Sequence, residues 1–215
     1  GQVISGLLML FEQPFRIGEW IETTKARGRV VEVNWRAVHL ETAGGLQVTP
    51  NSVLAGESFT NLSRPAEQHA IRITSVFAIE DRPDRVCDML VRIASQLPER
   101  HPDLTPTAVP LGQLKYRTKI PLRSPADDGD AEATFLRWIW YAARREGLHL
   151  DESVDAFSDP DLVADAIRAV VTPVLKLTGE QQRAIEPQAT IERYGKGELI
   201  QLSGTIPGGV SFILS

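Results

Sequence analysis

The chain has 215 residues, enough for one to three small domains, and its 42% hydrophobic and 24% charged residues describe a globular protein, not a disordered or collagen-like one. The net charge of −5 at neutral pH argues against a surface built to hold a nucleic-acid backbone, which is usually basic. A single cysteine, Cys87, allows no internal disulfide and no cysteine-based zinc site, and it suits a reducing compartment.

Residues 2–11 are apolar with small residues interleaved, among them Ser5 and Gly6. Small residues let helices approach closely, as in pore-lining bundles. The run is too short to span a bilayer, which takes roughly 20 apolar residues, and no charged segment precedes it as in a signal peptide. Glu12 breaks it and Pro14 ends it. The abrupt start at Gly1 and the abrupt stop at Phe212–Ser215, which reads as a strand, suggest a piece of a longer chain.

From Phe15 to Leu62 the pattern is β. Gly18–Thr23 is a short strand and Lys25–Gly28 a turn. Val31, Val33 and Trp35 alternate with Glu32, Asn34 and Arg36, the period of a half-buried strand, and Val38 and Leu40 continue it. Gly44-Gly45 signals a hairpin. Leu46–Thr49 returns, Pro50-Asn51 stops the run, and Phe59–Leu62 is a last short strand. Four or five short strands in so few residues suggest a small barrel or roll.

After a joint at residues 63–67, a mixed α/β block follows. His69–Ile79 is a strand alternating through Ile71, Ile73 and Val76. Asp81 is the expected N-cap of a helix with Pro83 in its first turn, whose apolar face is Val86, Met89, Leu90, Ile93 and Leu97. Gln113–Arg123 is a strand. Asp128-Gly129-Asp130 precedes a helix carrying Phe135, Trp138, Ile139 and Ala142, ended by Gly147. This order suggests half of a ferredoxin-like or similar sandwich. Ser158-Asp159-Pro160 caps a further helix with a stripe from Leu162 to Val171, ended or kinked at Pro173. A short helix runs over about 179–186, and residues 189–215 are glycine-rich and β-like.

A search for chemistry finds little. His39, His69, His101 and His149 are not at metal-ligand spacing, and no nearby group activates Cys87. Asp127-Asp128-Gly129-Asp130 lacks the spacing and closing Glu of a calcium loop and reads as a solvated loop and helix cap. Gly195-Lys196-Gly197-Glu198 is not a P-loop. No catalytic motif occurs, so no enzyme, cofactor or metal site is expected. Lys25, Arg27, Arg29 and Arg36 with Phe15, Trp20 and Trp35 could face a nucleic acid on a small barrel. The plainer reading has core aromatics and solvated arginines.

Taken in order, the first block resembles the small-conductance mechanosensitive channel (MscS-type) family. Pro14-Phe15-Arg16-Ile17-Gly18-Glu19 matches its Pro-Phe-x-x-Gly-Asp/Glu. Gly28-Arg29-Val30-Val31-Glu32-Val33-Asn34-Trp35-Arg36 matches the following Gly-x-Val-x-x-Ile/Val-x-x-Arg. Thr49-Pro50-Asn51 matches the apolar-Pro-Asn signature, and Asn61-Leu62-Ser63-Arg64-Pro65 the closing segment. Val38 stands where Thr is common and Thr49 where Ile or Val is common; both suit a strand. The residues carrying the structural motif are Pro14, Phe15, Gly18, Glu19, Gly28, Val30, Arg36, Pro50 and Asn51, with Ser5 and Gly6 packing the pore helix.

The resemblance implies an α+β chain. Residues 1–13 would be the end of a pore-lining helix, 14–65 a small Sm-like β-barrel, 66–150 a ferredoxin-like vestibule domain and 151–176 a linker helix. Residues 177–215 have a second resemblance, to the opening of cyclic-nucleotide-binding domains, carried by Leu177-Thr178-Gly179-Glu180-Gln181-Gln182, Tyr194, Gly197-Glu198, Ile200, Gly204 and Phe212-Ile213-Leu214. This block would be the incomplete start of such a domain, without its phosphate-binding cassette and so without ligand contacts. The expected role is the cytoplasmic vestibule of a bacterial plasma-membrane channel subunit, assembled as a homo-heptamer, mediating ion flux with modulation by cyclic nucleotide in a longer chain, and binding no nucleic acid. Leu162–Val171 would couple vestibule to sensor. The competing expectation is a soluble Sm-like barrel that binds RNA or protein.

Overall fold

A computed structural model describes residues 12–65, 69–153, 159–201, 203–205 and 208–214. Ser5, Gly6 and nearly all of the expected pore helix lie outside the described residues. The chain divides into two compact units. The first comprises residues 1–71, 99–105 and 121–129; the second comprises 72–98, 106–120 and 130–215.

The first unit is built on a five-stranded antiparallel sheet: β1 (Trp20–Glu22), β2 (Arg27–Val33), β3 (Ala37–Thr42), β4 (Gly45–Pro50) and β5 (Thr60–Asn61), in the order β4-β3-β2-β1-β5. The expected hairpin at Gly44-Gly45 joins β3 to β4, with Thr42 opposite Gly45. Gly45 takes φ of 119°, where a side chain would be strained. Phe15, Ile21, Val30, Val38, Leu40 and Leu54 form the core, with Ala26, Val33 and Phe59 packed against it. Phe15 and Phe59 meet edge to face, centroids 5.4 Å apart. Asn51–Leu54 forms a one-turn helix, α1, that the sequence pattern did not signal.

The parity expected of β2 is overturned. Val30, not Val31, is buried, and Trp35 lies beyond the strand, 58% exposed. The cause is a β-bulge. Val30 pairs with Leu40, but the next pair is Glu32 with His39, so Val31 is an extra residue. Val31 and Glu32 therefore both turn outward, and Val33 returns to the inner face opposite Val38.

The second unit centres on a three-stranded sheet of β6 (Ala70–Val76), β7 (Thr107–Gly112) and β8 (Lys115–Pro121), in the order β6-β8-β7. Helix α2 (Pro83–Ser95) buries Val86, Met89, Leu90 and Ile93 as its spacing requires. Helix α3 (Asp128–Arg145) buries Phe135, Trp138, Ile139 and Ala142, and Gly147 follows it at φ 65°. Strand β7 carries Pro110 inside it, a residue that argues against a strand in the sequence. As an edge strand it tolerates a residue without an N–H. Gln113 and Leu114, both at positive φ, close the hairpin to β8.

Two capping expectations fail. Asp81 is not the N-cap of α2; Arg82 is, without a side-chain bond. The Asp81 carboxylate instead accepts from the His149 N–H at 2.8 Å and the Ala78 N–H at 3.3 Å, and lies 2.8 Å from His149 Nδ1. Asp128 is not in a solvated loop. It stands in the first turn of α3, paired with Arg27 and 2.6 Å from His69 Nε2.

Helix α4 (Pro160–Ala166) is capped by Asp159, as expected. A π-helical turn, Ile167–Val171, and the short α5 (Thr172–Leu175) follow. Pro173 has no N–H to continue an ordinary ladder, and the wide turn falls just before it. Of the expected stripe only Val163 and Ile167 are buried, while Leu162 is exposed. Helix α6 (Gly179–Ile185) carries a full capping box between Thr178 and Gln181. The β-like expectation for 189–215 is overturned: among the described residues there, none forms a strand. A strand needs a neighbouring strand for its backbone groups, and the backbone here bonds to side chains instead, Arg145 reaching the Arg193 carbonyl and Trp138 the Lys196 carbonyl.

Candidate functional site

The densest polar construction of the first unit lies where the chain enters the sheet. Glu12 is helical, Gln13 leaves that geometry at φ 42°, and Pro14 follows. Phe15 drops into the core while Gly18 turns at φ 94°, so the Pro-Phe-x-x-Gly spacing makes a sharp entry. Glu19 ties that entry to the end of the sheet. Its carboxylate accepts from the Arg16 N–H, the Asn61 side-chain amide and Arg64 Nε, each at 2.8 Å. Asn61 also donates to the Pro14 carbonyl at 3.2 Å, and Ser63 Oγ accepts from the Trp20 N–H at 2.9 Å. Burial works to raise the Glu19 pKa, but the bonds from Asn61, Arg64 and the Arg16 backbone and the Arg64 charge outweigh it and hold it below the ordinary value of 4.5.

The remaining motif residues brace the sheet. Gly28 is buried, and a Cβ there would stand 2.5 Å from the Glu41 carbonyl oxygen. Val30 is fully buried. Pro50 ends β4 and stands before α1, whose first residue, Asn51, is buried. The Asn51 N–H reaches the Arg36 carbonyl at 2.9 Å, and its side-chain amide donates to the Asn34 carbonyl at 2.9 Å. Arg36 is exposed, its guanidinium 5.4 Å from the Trp35 ring centroid. The structure thus gathers Pro14, Phe15, Gly18 and Glu19 at one entry and Arg36, Pro50 and Asn51 at another corner. Asn61 and Arg64 belong to the first group; their place in the closing Asn-x-Ser-Arg segment was the available signal.

The aromatics that could face a nucleic acid differ in burial, and Phe15 is core as the plainer reading has it. Phe15 is buried, Trp20 partly buried and Trp35 exposed. Burial first, then Asp88 and Asp84, raise the Cys87 pKa, so the thiol is protonated at neutral pH. His69 and His149 lie against Asp128 and Asp81, and His39 lies 3.3 Å from Glu32. Among the described residues no group of three or more His, Cys, Asp and Glu is arranged to hold a metal, and no helix is long and apolar enough to cross a membrane.

The tail of the second unit forms a separate construction. Gly195 packs so closely on α3 that a Cβ would come 2.9 Å from Trp138 Cδ1. Trp138 Nε1 donates to the Lys196 carbonyl at 3.2 Å. Glu198, its side chain fully buried, pairs with Arg145 and accepts from the Gly195 N–H at 2.9 Å. Arg145 also lies 4.1 Å from the Tyr194 ring centroid. The Tyr194-x-x-Gly197-Glu198 spacing therefore serves helix docking. Nothing in the local sequence signalled Arg145, which lies 53 residues from its partner.

Residues 1–64 match the family described as mechanosensitive ion channel, beta-domain. The uncharacterized MscS family protein YhdY of Bacillus subtilis is 42% identical over 60 residues, 27% of this chain and 16% of that protein. The low conductance mechanosensitive channel YnaI of Escherichia coli is 27% identical over 101 residues, 46% of this chain and 29% of that protein. The chain therefore spans less than a third of either relative. The closed-state crystal structure of Helicobacter pylori MscS aligns with a TM-score of 0.54 at 16% identity, over 72% of this chain and 61% of that one, which shows a shared fold.

Proposed function

We propose, for a chain that belongs to the MscS-type mechanosensitive channel family, that it is the cytoplasmic vestibule portion of an ion-channel subunit in a bacterial plasma membrane. The observation that carries this reading is the match of residues 1–64 to the channel β-domain, supported by the Glu19 knot at the entry of that block. Residues 1–13 are then the end of the pore-lining helix. Residues 14–65 are the Sm-like barrel, 66–150 the vestibule wall and 151–176 the linker helix.

Self-assembly into a ring, of seven copies by resemblance, is part of the proposal. What supports it is the edge strand β4, where Leu46 and Val48 are 61% and 53% exposed. An uncovered apolar edge of this kind suits pairing with a copy of itself. Modulation by cyclic nucleotide belongs to a longer chain and rests on the motif at 177–214 alone.

The test is patch recording of the full-length subunit in membranes free of other tension-gated channels. Tension-activated currents are expected. A correctly inserted subunit that passes no current at lytic tension overturns the reading.

A further inference from the structure

A cleft of about 550 Å³ opens within the first unit, inside the roughly 300–1,000 Å³ typical of small-ligand sites. Its walls include Trp20, Arg29, Ser63, Arg123 and Ser124. Neither the Arg29 nor the Arg123 guanidinium has a hydrogen-bond or ion-pair partner among the described residues. Arg29 Nη2 lies over Gly18, 3.9 Å from where a Cβ would be, so the backbone there leaves the guanidinium room. Ser63 and Ser124 accept from backbone N–H groups of Trp20 and Ala126, which leaves each hydroxyl its own proton to donate.

The charge balance favours an anion. One carboxylate, Glu41, lines the cleft, opposite Arg29 in the β2–β3 ladder, against two guanidinium groups. Of the carboxylates next to the lining residues, Glu19 is engaged by Asn61 and Arg64 and Asp128 by Arg27 and His69. Ser124 and Ala126, at the start of the helical turn Pro125–Asp127, also line the cleft.

We infer that this cleft binds a small phosphate-bearing anion, held by Arg29 and Arg123, with Trp20 as an apolar wall. Guanidinium groups suit this ligand because their fork of N–H donors matches phosphate oxygens two at a time. The ligand is either a free phosphorylated molecule or the headgroup of an anionic lipid, the chemistry being the same. The inference is independent of the channel reading: a chain that passes no ions can still bind phosphate here.

The test is calorimetric titration of the purified chain with inorganic pyrophosphate, and in a second arm with phosphatidylglycerol vesicles. Saturable binding by pyrophosphate assigns a free anion, and saturable binding by vesicles alone a lipid headgroup. In either arm Arg29→Gln and Arg123→Gln should each weaken binding about tenfold or more, while Arg72→Gln, at an exposed position of β6, leaves it unchanged. Arginine modification by phenylglyoxal, read by mass spectrometry, keeps the test open if a variant misfolds. The bound probe should protect Arg29 and Arg123 ahead of the other arginines. No saturable binding in either arm, binding that survives both substitutions, or protection centred elsewhere overturns the inference.

Discussion

Replacing Gly28 with alanine tests whether the first unit depends on close contact between strands. The added methyl would sit 2.5 Å from the Glu41 carbonyl oxygen and 3.0 Å from Thr42 Cγ2. A comfortable carbon–oxygen contact is about 3.3 Å, so β2 and β3 must separate locally by about 0.8 Å. Glu41 cannot yield alone, because β3 is held by β2 on one side and β4 on the other. Gly28 does not adopt a positive φ, so the penalty comes from space and not from backbone strain. Overpacking costs about 1–3 kcal/mol, and weakening one or two ladder bonds adds about 1 kcal/mol each. The expected loss is about 2–5 kcal/mol, a large fraction of a domain's stability. Urea unfolding followed by circular dichroism measures it. Gly56→Ala is the control, since its methyl would meet only the Ser52 and Val53 carbonyls at 3.7 Å and should shift stability by no more than about 0.5 kcal/mol. Equal midpoints for the two variants would refute the reasoning.

Glu19 makes acid stability depend on one knot. A carboxylate held below its ordinary pKa stabilises the fold at neutral pH, and that contribution disappears as the pH falls through and below 4.5. Glu19→Gln should therefore lose less stability than the wild type between pH 6 and pH 3; parallel curves would reject the assignment. Truncating Glu198 to alanine strands Arg145, whose side chain is only 9% exposed, and should cost about 3–5 kcal/mol. The double change Arg145→Met with Glu198→Met should cost clearly less, and tryptic cleavage after Lys196 in the single variant should accelerate. Tyr194 is pushed up to about 12, by burial first and then by Glu192. Its phenol should ionise late in an ultraviolet titration, and because the raised pKa favours the fold only below that range, stability should fall above about pH 10, less so in Tyr194→Phe. Leu46→Glu with Val48→Glu should lower the oligomeric mass in sedimentation if β4 pairs with copies; an unchanged mass would exclude that edge.

The parts legible in the sequence were those written in local periodicity. The face of α2 from Val86 to Ile93, the hairpin at Gly44-Gly45 and the cap at Asp159 all rest on neighbours a few residues apart. What escaped depends on distant partners. Strand β7 hid behind Pro110, which is acceptable only because no strand covers its outer edge. Asp81 carries the composition of an N-cap but is drawn away by His149, 68 residues on. Residues 194–198 carry the spacing of a β segment, and Gly195 and Glu198 are buried against α3 and its Arg145 instead. Of the motif residues, Gly28 and Glu19 acquire a reason only through Glu41 in β3 and Asn61 in β5.

The extra residue in β2 also sets how this unit can change. Arg27–Val30 and Glu32–Val33 face the core on opposite counts, so the strand is two short ribbons joined at Val31. Deleting Val31 would restore one count along the whole ribbon without moving Val30, Val33 or any turn, and would straighten a bend that the bulge now maintains. Inserting or deleting a residue elsewhere in β2, outside the outward-facing pair Val31 and Glu32, would swap inner for outer side chains up to the next turn. Length variation among relatives should therefore gather at this bulge, as a hem absorbs slack that the rest of the cloth cannot.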